Sequence, residues 1–154
     1  MKKENIQFAL YIFIFLVATL LIILFWGREK NDVELCRDIF NGLLSGRQSV
    51  QKFIDWDNFN ALGLDMGSLY KKLPNKFEQS EYRKEFIKNL STTFKRAGGR
   101  AQAFTNWRVF KTEGSKTIIA VDYTVKLKTM LFTLLGYPKK KLIDMQWEGE
   151  SGQP

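Results

Sequence analysis

Hydrophobic and polar positions divide the chain unevenly. From Phe8 to Trp26 there are 19 consecutive uncharged residues, 14 of them Leu, Ile, Val or Phe. Apart from the interfacial tyrosine Tyr11, only Thr19 is clearly polar. A helix of this run has no polar face, which a core helix of a soluble domain needs. At 1.5 Å per residue the run is about 28 Å long, close to the hydrocarbon thickness of a bilayer. Each large apolar residue contributes roughly −0.3 to −0.6 kcal/mol to insertion, so the sum favours insertion by several kcal/mol. The pattern therefore predicts a short tail over residues 1–5, a transmembrane signal-anchor over 6–26 and a short tether over 27–31. Phe8, Ile12, Phe15, Leu20, Leu24 and Trp26 are its candidate anchor side chains. A cleavable signal peptide would have a shorter apolar core ending in small residues. Here the run ends in Leu24, Phe25 and Trp26.

Beyond the tether the period is that of amphipathic helices. Asn31 or Asp32 is placed to cap a helix starting near Val33, with Val33, Cys36, Ile39, Phe40, Leu43 and Leu44 on one stripe. Ser45 and Gly46 end it, and a second helical segment runs from about Gln48 through Ile54. Between Asn58 and Pro74 the pattern predicts a short helix flanked by loops, because Gly63 and Gly67 interrupt it. A longer helix over Ser80–Ala97 repeats Tyr82, Phe86, Leu90 and Phe94 every four residues, and Gly98 and Gly99 stop it.

The period then changes to two. Residues 104–111 read as a strand, and Thr112 to Ser115 as a hairpin turn. Lys116–Lys128 alternates Ile119, Val121, Tyr123, Val125 and Leu127 with Ile118, Ala120, Asp122, Thr124 and Lys126. Met130–Leu135 continues the sheet, and residues 139–148 give a last strand before a loose tail over 150–154. The fold class is α+β: an N-terminal transmembrane helix, then about three helices packed on a curved antiparallel sheet of three to four strands, the soluble domain covering 32–149.

Composition narrows the chemistry. The chain has no histidine and one cysteine, Cys36. This excludes imidazole ligands, paired-cysteine zinc sites, intrachain disulfides and the Ser/His and Cys/His nucleophile pairs. Cys36 lies within an apolar stripe, which predicts a buried, inert thiol. The net charge is +8, of which Lys2, Lys3 and Glu4 supply +1, so +7 falls on residues 27–154. Such a domain is attracted to anionic lipid, acidic proteins or nucleic acid. A tether to the bilayer favours the first two over nucleic acid.

In this order, the Leu43-Leu44-Ser45-Gly46 break, the Phe53-Ile54-Asp55-Trp56 step, the long amphipathic helix and the closing hairpins resemble the nuclear transport factor 2 superfamily over roughly residues 32–149. The resemblance implies a conical scaffold. It serves isomerases, cyclases and dehydratases, but also secretion-system scaffolds in the inner membrane and non-catalytic extracytoplasmic domains. Its enzymes typically place Asp or His inside the cone. The segment Phe53–Arg96 is also similar to helices of the periplasmic phospholipid-carrier family, which implies a lipid-holding interior.

Three functional expectations follow. The foremost is a non-enzymatic, membrane-anchored interaction or accessory domain of a cell-envelope complex, binding the lipid bilayer and a protein partner. Lys126, Lys128, Lys139, Lys140 and Lys141 are its candidate basic surface, although a solvated sheet edge would carry the same residues. The alternative is a carrier of a lipid or other apolar ligand, with Phe86, Leu90, Tyr123 and Val125 lining the pocket. An enzyme using Asp55, Asp57 or Asp122 is the third, although Asp residues after a helix commonly serve backbone hydrogen bonds. The pattern assigns no catalytic, cofactor or metal residue. Lys2 and Lys3 oppose Arg28, Lys30 and Arg37 across the anchor, so the positive-inside rule is balanced. A tail this short usually stays cytoplasmic, which puts the domain outside, in the periplasm of a Gram-negative cell.

Overall fold

The computed structural model describes the backbone of residues 3–150 and the side chains of residues 11–24 and 31–150. Residues 1–2 and 151–154, and the side chains of Phe8 and Trp26, lie outside the described residues. The chain divides into two compact units, residues 1–31 and 32–154.

In the first unit every residue from Tyr11 to Leu24 is helical and exposed. Thr19 Oγ1 donates to the Phe15 carbonyl at 2.8 Å, so the one clearly polar side chain of this stretch is bonded within its own helix. Among the described residues no helix is long and apolar enough to cross a membrane. The apolar stretch with described side chains, 11–24, is about 21 Å long at 1.5 Å per residue, against a hydrocarbon core of about 30 Å.

Helix α1 runs from Lys3 to Ser45. Residues 27–31 are therefore helical and not an extended tether, and the cap expected at Asn31 or Asp32 does not form. A lone glycine costs a helix only about 1 kcal/mol, so Gly27 is a weak stop. Asp32 is unable to cap because its carboxylate is bonded inside the domain.

The second unit is an α+β domain whose helices pack on a curled, mixed six-stranded sheet. After α1 come 3-10 turns at Gln48–Phe53 and Trp56–Asn58, β1 (Asn60–Ala61), β2 (Leu64–Asp65), α2 (Met66–Lys71) and α3 (Lys76–Arg96). The turn Ala101–Ala103 then leads into β3 (Phe104–Glu113), β4 (Lys116–Tyr123), β5 (Lys128–Leu135) and β6 (Lys141–Trp147). The strand order is β2-β1-β6-β5-β4-β3. All neighbours are antiparallel except β1 and β6, which pair parallel through Asn60↔Asp144 and Ala61↔Met145.

The sheet thus has six strands and not three to four, and it is not purely antiparallel. The two additional strands are two residues each, too short to show a period of two. Their hairpin turns on Leu62 and Gly63, both at positive φ (53° and 84°), the left-handed pair that matches strand twist. The alternation seen through Lys128 also overruns its strand. β4 stops at Tyr123, and residues 124–127 turn with Leu127 at φ 52°, leaving Val125 and Leu127 exposed. Helix α3 begins one turn before Ser80, because Asn75 accepts from the Glu78 amide at 2.9 Å and its amide reaches back to Glu78 Oε1.

The stripe on α1 meets the sheet as its spacing predicts. Cys36, Ile39, Phe40, Leu43 and Leu44 are buried, and α1 ends at Gly46 (φ 80°), where the Arg47 amide donates to the Gly42 carbonyl at 2.8 Å. Phe40 is central, with its ring 4.8 Å from Phe104 and 4.9 Å from Phe132. Ser91 on α3 donates to the Leu44 carbonyl at 2.8 Å, joining the two helices at a buried point. A second aromatic group, Trp56, Phe59, Tyr70, Tyr82 and Phe86, fills the space between the turns, α2 and α3.

Phe132→Ala removes a fully buried ring that touches both Phe40 and Trp107. The expected cost is about 3–5 kcal/mol. Urea unfolding followed by tryptophan fluorescence reads it as a lower midpoint at unchanged slope.

Candidate functional site

Two places concentrate the chemistry of the domain. The first is a buried polar cluster at the start of the second unit. Asp32 on α1, Thr117 on β4 and Lys140 in the β5–β6 loop are 8 %, 0 % and 8 % exposed. Thr117 Oγ1 donates to Asp32 Oδ2 at 3.0 Å, and the Lys140 ammonium donates to both Asp32 Oδ2 and Thr117 Oγ1. Carboxylate and ammonium are both taken from water, which is tolerated because each is paired and the hydroxyl supplies a further bond. One turn along α1 lies Cys36, whose thiol is pushed up from its ordinary value by burial and then by the Asp32 charge.

The cluster corrects the candidate basic surface. Lys140 does not belong to it, because a lysine between two exposed lysines has turned inward to meet Asp32. The four remaining lysines separate. Lys126 and Lys128 lie at the β4–β5 turn, whereas Lys139 and Lys141 flank Lys140 at the opposite end of the same strands. β4 is 8 residues long, so the two groups are about 25 Å apart along the sheet. Lys128 is also paired with Glu150 at 2.9 Å.

The second place is an apolar cleft of about 360 Å3 where the β1–β2 hairpin faces α3. Leu62, Leu64, Met66, Phe86, Leu90 and Met145 supply most of its wall. Such a volume lies within the range of small-ligand sites. Phe86 and Leu90 thus share a cleft, but Tyr123 and Val125 are elsewhere. Tyr123 is buried in a stack with Phe104 (4.5 Å), and Val125 is 65 % exposed on the β4–β5 turn. The signal for the rest of the cleft was present in Leu62-Gly63-Leu64, two apolar residues around a turn, but nothing in their spacing pairs them with α3.

The carboxylates take structural positions. Asp122 stands on the outer face of β4, and its carboxyl is held below the usual range by hydrogen bonds from Asn106 and Arg108, with Thr129 adding a third. Asp55 accepts from Asn58 Nδ2 at 3.0 Å, and Asp57 is exposed. Asp144, half-buried on β6, is raised by desolvation, a feature that sequence pattern alone does not show. None of these four lines the cleft. Among the described residues no group of three or more Cys, Asp or Glu side chains is placed to hold a metal ion. No protein-family model, curated protein or solved structure matches the chain.

The Cys36 environment makes a chemical prediction. In the folded chain the thiol resists alkylation at pH 8, and it reacts fully once urea unfolds the domain, as mass spectrometry will show. Because its folded value lies above the ordinary 9.0, the folded state holds the proton longer, and this contribution to stability is lost as pH rises past about 9.

Proposed function

We propose that the chain is a membrane-anchored, non-enzymatic interaction domain, an accessory or scaffold subunit of a cell-envelope complex, with a nuclear transport factor 2-like fold. The observation that carries the reading is the apolar helical stretch of the first unit. Its large side chains from Tyr11 to Leu24 are 40–72 % exposed, an apolar surface interrupted by Thr19 that water does not tolerate on an ordinary soluble protein. With Phe8–Leu10, Phe25 and Trp26, the uncharged run of the sequence reaches 19 residues, the length a bilayer demands. The curled mixed sheet wrapped on helices suits the cone of the superfamily named above.

The domain's own interior favours binding over catalysis. Its buried ionic groups, Asp32 and Lys140, neutralise one another, and its central space is occupied by Phe40, Phe104, Trp107 and Phe132. A second reading, capture of a lipid tail or similar apolar ligand, is favoured by the cleft at Phe86 and Leu90.

Membranes containing the full chain, washed in alkaline carbonate, should retain it, and purification in mild detergent should return at least one envelope protein in constant ratio. Release by carbonate would contradict the anchor. Recovery of the chain alone, carrying a bound lipid detected by native mass spectrometry, would transfer the reading to the apolar-ligand alternative.

A further inference from the structure

The inference rests on the anchor reading and concerns what the domain does with the bilayer beside it. Asp32 is the first residue of the second unit, and its side chain is seated between Thr117 and Lys140. That contact identifies which end of the sheet adjoins the entry of the chain: the end carrying the β3–β4 turn at Gly114–Ser115 and the β5–β6 loop at Gly136–Lys140. Six residue steps separate Trp26 from Asp32. Even fully extended they span about 20 Å, so the reach of the chain alone keeps this end near the headgroups.

The surface at this end is suited to that place. Lys139 and Lys141 are exposed, and among the described residues neither has an ion-pair partner. Tyr137, 82 % exposed, stands beside them. Tyrosine is enriched at membrane–water interfaces, where its ring sits in the headgroup layer and its hydroxyl stays wet. Lys116 adds positive charge, while Lys111 and Glu113 cancel as a pair. The loop is also pinned from within, because Lys140 is bonded to the root of the entering helix. Opposite sides of one short loop thus hold the domain together and face outward with unpaired cations.

We propose that Tyr137, Lys139 and Lys141 form a docking surface for the anionic phospholipid headgroups around the anchor. Each lysine close to an anionic surface changes the docked-to-free ratio about five-fold, so the two together contribute roughly thirty-fold. The attraction is screened as the Debye length falls from about 10 Å at 0.1 M salt to about 3 Å at 1 M. The far end of the sheet, with Lys126 and Lys128, takes no part.

The test uses the full chain in vesicles of phosphatidylcholine alone or mixed with phosphatidylglycerol. Ser115→Cys or Lys126→Cys carries a nitroxide, the buried Cys36 remaining unlabelled, and collision with nickel-chelating headgroups is read by power saturation. The expected result is strong contact at position 115 in phosphatidylglycerol vesicles, lost in 1 M salt and reduced roughly thirty-fold in docked ratio by K139Q/K141Q, with little contact at position 126. Contact at position 115 that is indifferent to lipid charge, or to the double substitution, overturns the docking surface. Flotation in alkaline carbonate separates the two readings. A chain that stays on both vesicles without lipid-charge dependence keeps its anchor and loses the docking proposal, whereas a chain stripped from both loses the anchor and the docking with it.

Discussion

A buried carboxylate costs several kcal/mol unless a partner meets it, and the domain is arranged so that Asp32 is met. Its partners come from distant parts of the chain, Thr117 from the first position but one of β4 and Lys140 from the loop before β6. One cluster therefore joins α1 to strand β4 and to the β5–β6 loop. The stripe Cys36–Ile39–Phe40–Leu43 follows from that point down the sheet, and the aromatic contacts of Phe40 with Phe104 and Phe132 complete the docking of helix on strands. Hydrophobic packing supplies most of the stabilisation. The ionic cluster supplies position, because in the observed register Asp32 is the α1 carboxylate that meets Lys140.

That division of labour explains what could be read beforehand. Periodic features were legible: the inward stripe of α1, its stop at Gly46, the four-residue repeat of α3 and the alternation of β4 all report local geometry that a sequence records directly. The features that were not legible depend on partners far away in the chain. Lys140 stands in a run of three lysines, and only the position of Asp32 distinguishes it from its neighbours. β1 and β2 exist because Ala61 finds Met145 and Asn60 finds Asp144, pairings that two residues cannot announce. Val125 and Leu127 continued the alternation of β4 while lying in its turn, so the pattern extended a strand that the left-handed backbone at Leu127 ends.

The candidate site was legible in the same partial way. Phe86 and Leu90 share a helix face and do share a cleft, but Tyr123 is committed to the core and Val125 to solvent. The candidate lysines came from one strand's outward face, Lys126 and Lys128, and from the run Lys139–Lys141, and strand direction sends the two groups to opposite ends of the sheet. Within the second unit, Lys139, Lys141 and the exposed Tyr137 share the end of the sheet that carries Asp32 and Lys140.

The central claim is that Asp32 and Lys140 act as a pair. A double-mutant cycle of Asp32→Asn and Lys140→Met in the full chain, followed by urea unfolding, tests it most directly. The account predicts that the single changes are each costly and strongly non-additive, with a coupling of about 2 kcal/mol or more. Additive effects, or a coupling near zero, would contradict it.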